Sequence, residues 1–351
     1  MGNLLCERWP GLGLVQEKLV AGPTPLHLQD SLSKSLGIEL WIKREDLSSP
    51  TYGGNKVRKL EWLLGEAQAK NAKSIVTVGA LGSHHVLATT LFARKRGLEV
   101  HALLVPQPWS AHAEETLRLT FSQGAQIHLV RHFVLLPQRA ALLVAKLRLQ
   151  GKAPYLIPAG GSNKVGALGY VEAGIELGWD MIRENLTPDA IFVALGSGGT
   201  AAGLAVGLAV SGCTVPLIAV RVTPRVWLGR SRIDRLIEQI VRYLRIRDSR
   251  FPDVAELAKR LLSIDEAELG AGYGWPTPRA QEALEIAQEH GLVLDPTYTA
   301  KAMAAIVRMS RSSAIRKAIF VHTLSRVQPK GIISDLPLPL RKAFIAAPGV
   351  G

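Results

Sequence analysis

Residues 190–220 read AIFVALGSGGTAAGLAVGLAVSGCTVPLIAV, and none of these side chains is charged. Roughly 20 apolar residues suffice to cross a bilayer as a helix. The composition argues for another parse. Gly196, Gly198 and Gly199 break the run, and the break separates a β-branched half (190–195) from an alanine-rich half (200–211). That change predicts a buried strand, a glycine loop and a buried helix, with a second strand at 216–220. The stretch is then the middle of an α/β protein that has no membrane partner.

The same rhythm extends outwards. Short β-branched runs occur at 38–43, 74–78, 99–105, 126–130, 155–158 and 318–322, with amphipathic stretches between them at 57–70, 84–97, 112–123, 134–150 and 165–183. Near-continuous apolar strands alternating with helices indicate parallel sheets covered on both faces. At roughly 150 residues per domain, 351 residues correspond to about two domains. A chain that is 47% hydrophobic and 20% charged is globular, which excludes a disordered tail protein. Cys6 and Cys213 are too few for a disulfide framework and favour a reducing, cytoplasmic compartment. The opening MGNLLCERWPGLGL lacks a basic segment followed by an apolar core, so no signal peptide is expected.

The net charge of +13 fits a nucleic-acid binder, an enzyme for small anions, or solubility alone. Nine arginines fall between Arg221 and Arg250, interleaved with Ile233, Leu236, Ile237, Ile240, Val241 and Leu244 at helical spacing. Residues 221–262 therefore read as wholly helical with a solvated charged face, and no nucleic-acid partner is expected. The segment 335–351 reads as a proline-punctuated tail over the surface.

Four segments carry chemistry. In YGGNKVRKLEWLL (52–64), Gly53 and Gly54 permit a tight turn, and Lys56 opens a helix beside Arg58 and Lys59. Such an amine has its charged form disfavoured and is a better nucleophile towards a carbonyl. The loop Gly196, Ser197, Gly198, Gly199, Thr200 joins strand to helix N-terminus, which is an anion site. Its letters also satisfy the dinucleotide fingerprint, but Arg221 stands where the ribose-binding acid belongs, leaving only an NADP oxidoreductase as the alternative. Ser83 in Gly82-Ser83-His84-His85 can offer its hydroxyl and helix N–H groups to a carboxylate. Adjacent histidines on a helix diverge, so no metal is expected. Tyr273 and Tyr298 lie among turn residues in GAGYGWPT and LDPTYTAKAM, where a tyrosine can stack on a flat cofactor and move a proton.

Together with AGGSN (159–163) and GSGGTAAG (196–203), these motifs occur in an order that resembles the D-cysteine desulfhydrase and 1-aminocyclopropane-1-carboxylate deaminase family, over roughly residues 15–325. These are pyridoxal-phosphate enzymes of fold type II, similar to the tryptophan synthase β subunit. The resemblance implies two parallel-rich, three-layer domains. A large cofactor-binding domain would comprise 1–55 and 164–351, and a small domain 56–163. It implies pyridoxal 5′-phosphate held by Lys56 as a Schiff base, Asn55 at the ring oxygen, residues 196–200 at the phosphate and Thr323 near the ring nitrogen. Ser83 with its turn, including His84 and His85, would grip the substrate carboxylate, with Tyr273 and Tyr298 beside the substrate.

Thr299 and Thr323 stand where deaminases typically have Glu and Leu, which resembles the desulfhydrase pattern. The implied reaction is α,β-elimination from a small amino acid, D-cysteine foremost, giving pyruvate, ammonia and sulfide; the alternative is deamination to 2-oxobutanoate. A homodimer is the family expectation. Three departures stand out: Gly82 and His84 in the carboxylate turn, Leu324-Ser325 in place of a glycine pair, and a long arginine-rich segment.

Overall fold

A computed structural model describes residues 3–327, 329 and 335–346 of the chain. Within them lie ten strands: β1 Leu26–Leu28, β2 Glu39–Lys43, β3 Ser74–Ala80, β4 Glu99–Val105, β5 Gln126–Leu129, β6 Pro154–Ile157, β7 Ala190–Leu195, β8 Leu217–Arg221, β9 Leu262–Asp265 and β10 Lys317–Val321. The eight strand positions expected from composition are all occupied. β1 and β9 were not expected; three residues of LHL and the largely polar-facing LSID carry little apolar signal.

The chain divides into two compact units. The larger comprises residues 1–14, 18–61 and 162–327, and the smaller 15–17, 62–161 and 328–351. Lys56 thus belongs to the larger unit, and the described residues 335–346 to the smaller. Of the tail 335–351, residues 347–351 lie outside the described residues.

The larger unit is built on a sheet of order β1-β2-β10-β7-β8-β9. All its pairings are parallel except β1 with β2. Every residue of β7 is buried, as a central parallel strand requires. Its core gathers Ile42, Phe192, Val220, Met303, Ile306 and Phe320. The smaller unit has a wholly parallel sheet of order β5-β4-β3-β6 over its own core, with Val76, Leu103 and Leu136.

The uncharged stretch resolves as strand, loop, helix Gly199–Val210 and strand β8. Among the described residues no helix is long and apolar enough to cross a membrane. The alanines and glycines of Gly199–Val210 serve a different purpose. A Cβ on Gly207 would lie 2.1 Å from the Val171 carbonyl oxygen, and one on Gly203 2.5 Å from that of Ala167. On the opposing helix Leu168–Arg183, a Cβ on Gly174 would meet the Leu204 carbonyl oxygen at 2.7 Å. The two helices pack backbone against backbone, which only glycine permits.

Residues 221–262 are not wholly helical. Arg221 ends β8, a helix runs Arg230–Arg247, a second Ala255–Leu261, and β9 begins at Leu262. Pro224 and Pro252 fall in the two gaps. Ile233, Ile237, Ile240, Val241 and Leu244 form the buried stripe as their spacing requires.

Candidate active site

Lys56 is the second residue of helix Asn55–Ala69. The helix begins there because the two preceding glycines thread a constriction. A Cβ on Gly53 would sit 2.1 Å from the Asp46 carbonyl oxygen. Gly54 has φ +81°, and its Cβ would meet the Thr323 carbonyl oxygen at 2.6 Å. The Gly54 N–H donates to the Glu45 carbonyl at 2.9 Å and that of Asn55 to the Thr323 carbonyl at 3.1 Å. Ser325, at the departed glycine pair, accepts from the Gly53 N–H at 2.8 Å. That replacement braces the lysine turn.

Burial lowers the Lys56 amine to about 8, a fall the Asp295 charge partly opposes. The physical cause is therefore desolvation, and Arg58 has other work. Its guanidinium forks onto Glu45 at 2.7 and 2.9 Å and reaches Glu176 at 3.0 Å. Lys43 joins the same buried network through Glu176 at 2.5 Å and Asp180 at 2.6 Å.

The Lys56 nitrogen lies 5.8 Å from the centre of the Tyr298 ring. The Tyr298 hydroxyl donates to the Tyr273 hydroxyl at 3.0 Å, and the rings meet edge to face with centres 5.8 Å apart. Burial pushes Tyr273 up to about 12 and Tyr298 well above its usual value. Both phenols therefore keep their protons at neutral pH. Asp295 fixes Tyr298 by accepting the N–H groups of Thr297, Tyr298 and Thr299 at 3.0, 2.7 and 3.1 Å. Thr299 is fully buried and gives its hydroxyl to Asp295 at 2.7 Å, so its side chain faces that carboxylate.

The glycine loop stands at the end of β7, beside these groups. A Cβ on Gly196 would touch the Tyr298 ring at 2.9 Å. Gly198 has φ +89° and, having no side chain, cannot itself cap the helix Gly199–Val210 that follows it. Ser162 bridges the loop, accepting from the Gly199 N–H at 3.0 Å and lying 2.7 Å from the Ser197 hydroxyl. The Asn55 amide donates to the Thr200 hydroxyl at 3.0 Å. Two residues here had been given no site role from the sequence: Ser162, quoted only within AGGSN, and the fully buried Lys59, whose Nζ donates to the Ser162 hydroxyl at 3.3 Å. Burial first, and the neighbouring Lys56 charge second, hold Lys59 well below its usual value. The signal was the spacing Lys56-x-x-Lys59, which places two amines on one helix face.

In the smaller unit Ser83 caps helix His84–Arg94, accepting from the Val86 N–H at 3.4 Å. The two histidines diverge, as helix geometry demands. His84 Nε2 lies 2.7 Å from His112 Nε2, whereas His85 is buried with Nε2 3.3 Å from the Thr77 hydroxyl. The His85 side chain is thus turned into the sheet. Gly82 has a packing reason: a Cβ there would lie 2.6 Å from that of Ala113. A glutamine nevertheless reaches the turn, since Gln107 Oε1 accepts the Gly82 N–H at 3.0 Å. Among the described residues no group of three or more His, Cys, Asp or Glu is assembled that could hold a metal.

A family model described as "Pyridoxal-phosphate dependent enzyme" matches residues 18–324. The chain belongs to that family. It is 36% identical to a D-cysteine desulfhydrase of Serratia proteamaculans over 87% of this chain and 92% of the relative. It is 31% identical to a Pyrococcus horikoshii protein described provisionally as a 1-aminocyclopropane-1-carboxylate deaminase, over 87% and 90%. A crystal structure of an ACC deaminase homologue superposes with a TM-score of 0.76 at 30% identity, covering 92% of this chain and 93% of that one. A threonine deaminase of Solanum lycopersicum shares the fold with a TM-score of 0.60 at 17% identity, over 93% of this chain and 84% of that one.

For this pyridoxal-phosphate enzyme the larger unit's residues fit the cofactor: a desolvated amine, a phenol pair, and a glycine loop opening a helix, where a Cβ on Gly196 or Gly199 would press on Tyr298 or Ser162. The oxidoreductase alternative fails on the same geometry. Arg221 is buried, its Nε on Glu266 at 2.8 Å and its Nη1 on the Leu228 carbonyl at 2.5 Å, so it is committed to the sheet. Much of the arginine block is neutralised likewise, with Arg230 on Asp234 and Arg250 on Asp248.

Proposed function

We propose that this enzyme eliminates the β-substituent of a small amino acid, D-cysteine foremost, to pyruvate, ammonia and sulfide. The observation that carries this reading is the Lys56 amine, lowered to about 8, facing a hydrogen-bonded pair of protonated tyrosines. Pyridoxal phosphate, when bound, supplies the electron sink that makes the α-proton acidic. Lys56 is assigned as the group that holds the cofactor and takes the α-proton, because a base works best with a pKa near the working pH. Tyr298 and Tyr273 stay protonated, so they are suited to donate a hydrogen bond to the departing sulfur and steady its developing charge while keeping their own protons.

The loop 196–200, with Ser162 and Lys59, is assigned to the phosphate: the N–H groups that open helix Gly199–Val210 favour an anion, and an anion there would offset the burial that disfavours the charged form of Lys59. Asn55 is assigned to the cofactor's ring oxygen, and Thr323 to the neighbourhood of the ring nitrogen. Ser83, the N-terminal N–H groups of its helix, and His84 are assigned to the substrate carboxylate, with only the backbone of His85 taking part.

Thr299 favours elimination over the deaminase alternative. Deaminases of the family typically carry Glu at this position, whereas here a threonine hydroxyl donates to Asp295. A homodimer and a cytoplasmic location belong to the same proposal, the latter supported by two unbridged cysteines. The test is a panel of D- and L-amino acids with 1-aminocyclopropane-1-carboxylate, assayed for sulfide, pyruvate and 2-oxobutanoate. Sulfide and pyruvate from D-cysteine are expected; 2-oxobutanoate from the cyclic substrate as the sole product would reverse the assignment.

A further inference from the structure

The turn that carries Tyr273 has little stiffness of its own. Gly270, Gly272 and Gly274 have φ of 60°, 122° and 79°, so three residues of five in GAGYG are glycines whose freedom must be given up on ordering. The turn's own hydrogen bonds are long: Gly272 N–H to the Leu269 carbonyl at 3.2 Å and Trp275 N–H to the Gly272 carbonyl at 3.3 Å.

A side chain from another element closes it. The Lys301 ammonium donates to the Leu269 carbonyl at 2.8 Å and to the Gly272 carbonyl at 3.2 Å. Lys301 is fully buried on helix Thr299–Arg311, three residues beyond Tyr298 and therefore on the same face. The nearby carboxylate of Glu268 is engaged by Arg279 and Arg308, each at 2.9 Å. Burying an ammonium is costly, and burial lowers Lys301 to about 8 although the two carbonyls take two of its three donors and the Glu268 charge opposes the fall. One helix thus holds Tyr298 directly and reaches Tyr273 through the lysine.

We propose that Lys301 is a positioning residue, whose ammonium clamps the 269–273 turn so that the Tyr273 hydroxyl meets that of Tyr298. The proposal rests on the reading that this phenol pair serves the substrate, and it adds what keeps the pair together. Lys301 itself touches no reacting atom.

The holoenzyme labelled with 3-fluorotyrosine provides a readout independent of turnover. The chain has six tyrosines, and single Tyr→Phe variants assign their fluorine resonances. Lys301→Met is expected to shift or broaden the Tyr273 and Tyr298 resonances while leaving Tyr155 and Tyr170 in place, and Lys301→Arg is expected to restore them in part. In kinetics, Lys301→Met lowers kcat/KM about tenfold in the native background and has no further effect in Tyr273→Phe, because the lysine acts through that phenol. Unmoved Tyr273 and Tyr298 resonances in folded Lys301→Met overturn the proposal, and so does an additive loss in the double variant. Should Lys301→Met not fold, Lys301→Gln, which keeps a polar end but is too short to bridge both carbonyls, carries the same comparison. An enzyme that turns over no amino acid would count against the proposed function alone, and the fluorine spectra would still decide the clamp.

Discussion

Replacing Arg58 by methionine removes the guanidinium on which the floor of the lysine turn depends. Arg58 is 5% exposed and Glu45 fully buried, and the two are joined through both Nε and Nη2. The methionine fills most of the space but leaves a carboxylate in the interior without its cation. Breaking a buried pair in this way costs about 3–5 kcal/mol. Glu45 keeps the Thr24 hydroxyl at 2.6 Å and the Tyr170 hydroxyl at 3.0 Å, which places the expected loss near the lower end. At about 2–4 °C per kcal/mol for a unit of this size, the melting temperature falls by roughly 6–12 °C.

Calorimetry at neutral and mildly acid pH checks both size and sign. An unpaired carboxylate in the interior is relieved by taking up a proton, so the variant regains stability as pH falls and loses it as pH rises. Arg58→Lys keeps a charge but not the fork and is expected to lose about half as much. A drop below about 2 °C for Arg58→Met, with no pH dependence, would refute the argument that this network anchors the turn.

Further outcomes follow from the same geometry. Cofactor uptake by the stripped protein should accelerate as pH rises and level off above about 8, where the Lys56 amine is neutral; a rate still climbing tenfold per unit at pH 10 would mean that burial does not lower it. Asp46 would be raised by burial, but hydrogen bonds and charges from Arg44 and His322 outweigh this and hold it at about 2. Its contribution, on the order of 2 kcal/mol, is present above pH 3.8 and lost as pH falls towards 2, and Asp46→Asn should flatten the acid limb of the unfolding curve. Gly198→Ala forces a Cβ into a left-handed residue at the anion loop, and equilibrium dialysis should find cofactor affinity weakened at least tenfold. Ser83→Ala removes a long capping bond, so stability should fall by less than about 1 kcal/mol while KM rises severalfold; an unchanged KM would remove Ser83 from the carboxylate site.

The parallel core was legible because β7, β8 and β10 are nearly all apolar and sit between glycine-punctuated helices. Lys56, the glycine loop and the tyrosine pair were legible because each requires a local signature: a turn, a left-handed residue, an aromatic among prolines. Arg58 was misread because sequence neighbours suggest mutual repulsion with Lys56, whereas its partners, Glu45 and Glu176, are distant in the chain. The partner of Arg221 was hidden for the same reason, since Glu266 lies 45 residues on. Thr299 shows a further limit. Its hydroxyl had a position in the motif, but only the fold reveals that Asp295 claims it.

The glycine seam between helices Leu168–Arg183 and Gly199–Val210 couples a remote place to the cofactor loop, because the second helix begins at that loop. A methyl group added at Gly203 or Gly207 would push the helices apart and tilt the loop's N–H groups, although both residues lie within the helix and outside the loop. Faults of that kind are dose-responsive. A ligand that binds only the folded form restores about 2.7 kcal/mol at a hundredfold excess over its Kd. Seam variants would thus be sick in a cell short of vitamin B6 and recover on supplementation, whereas a Lys56 variant would be indifferent to the diet.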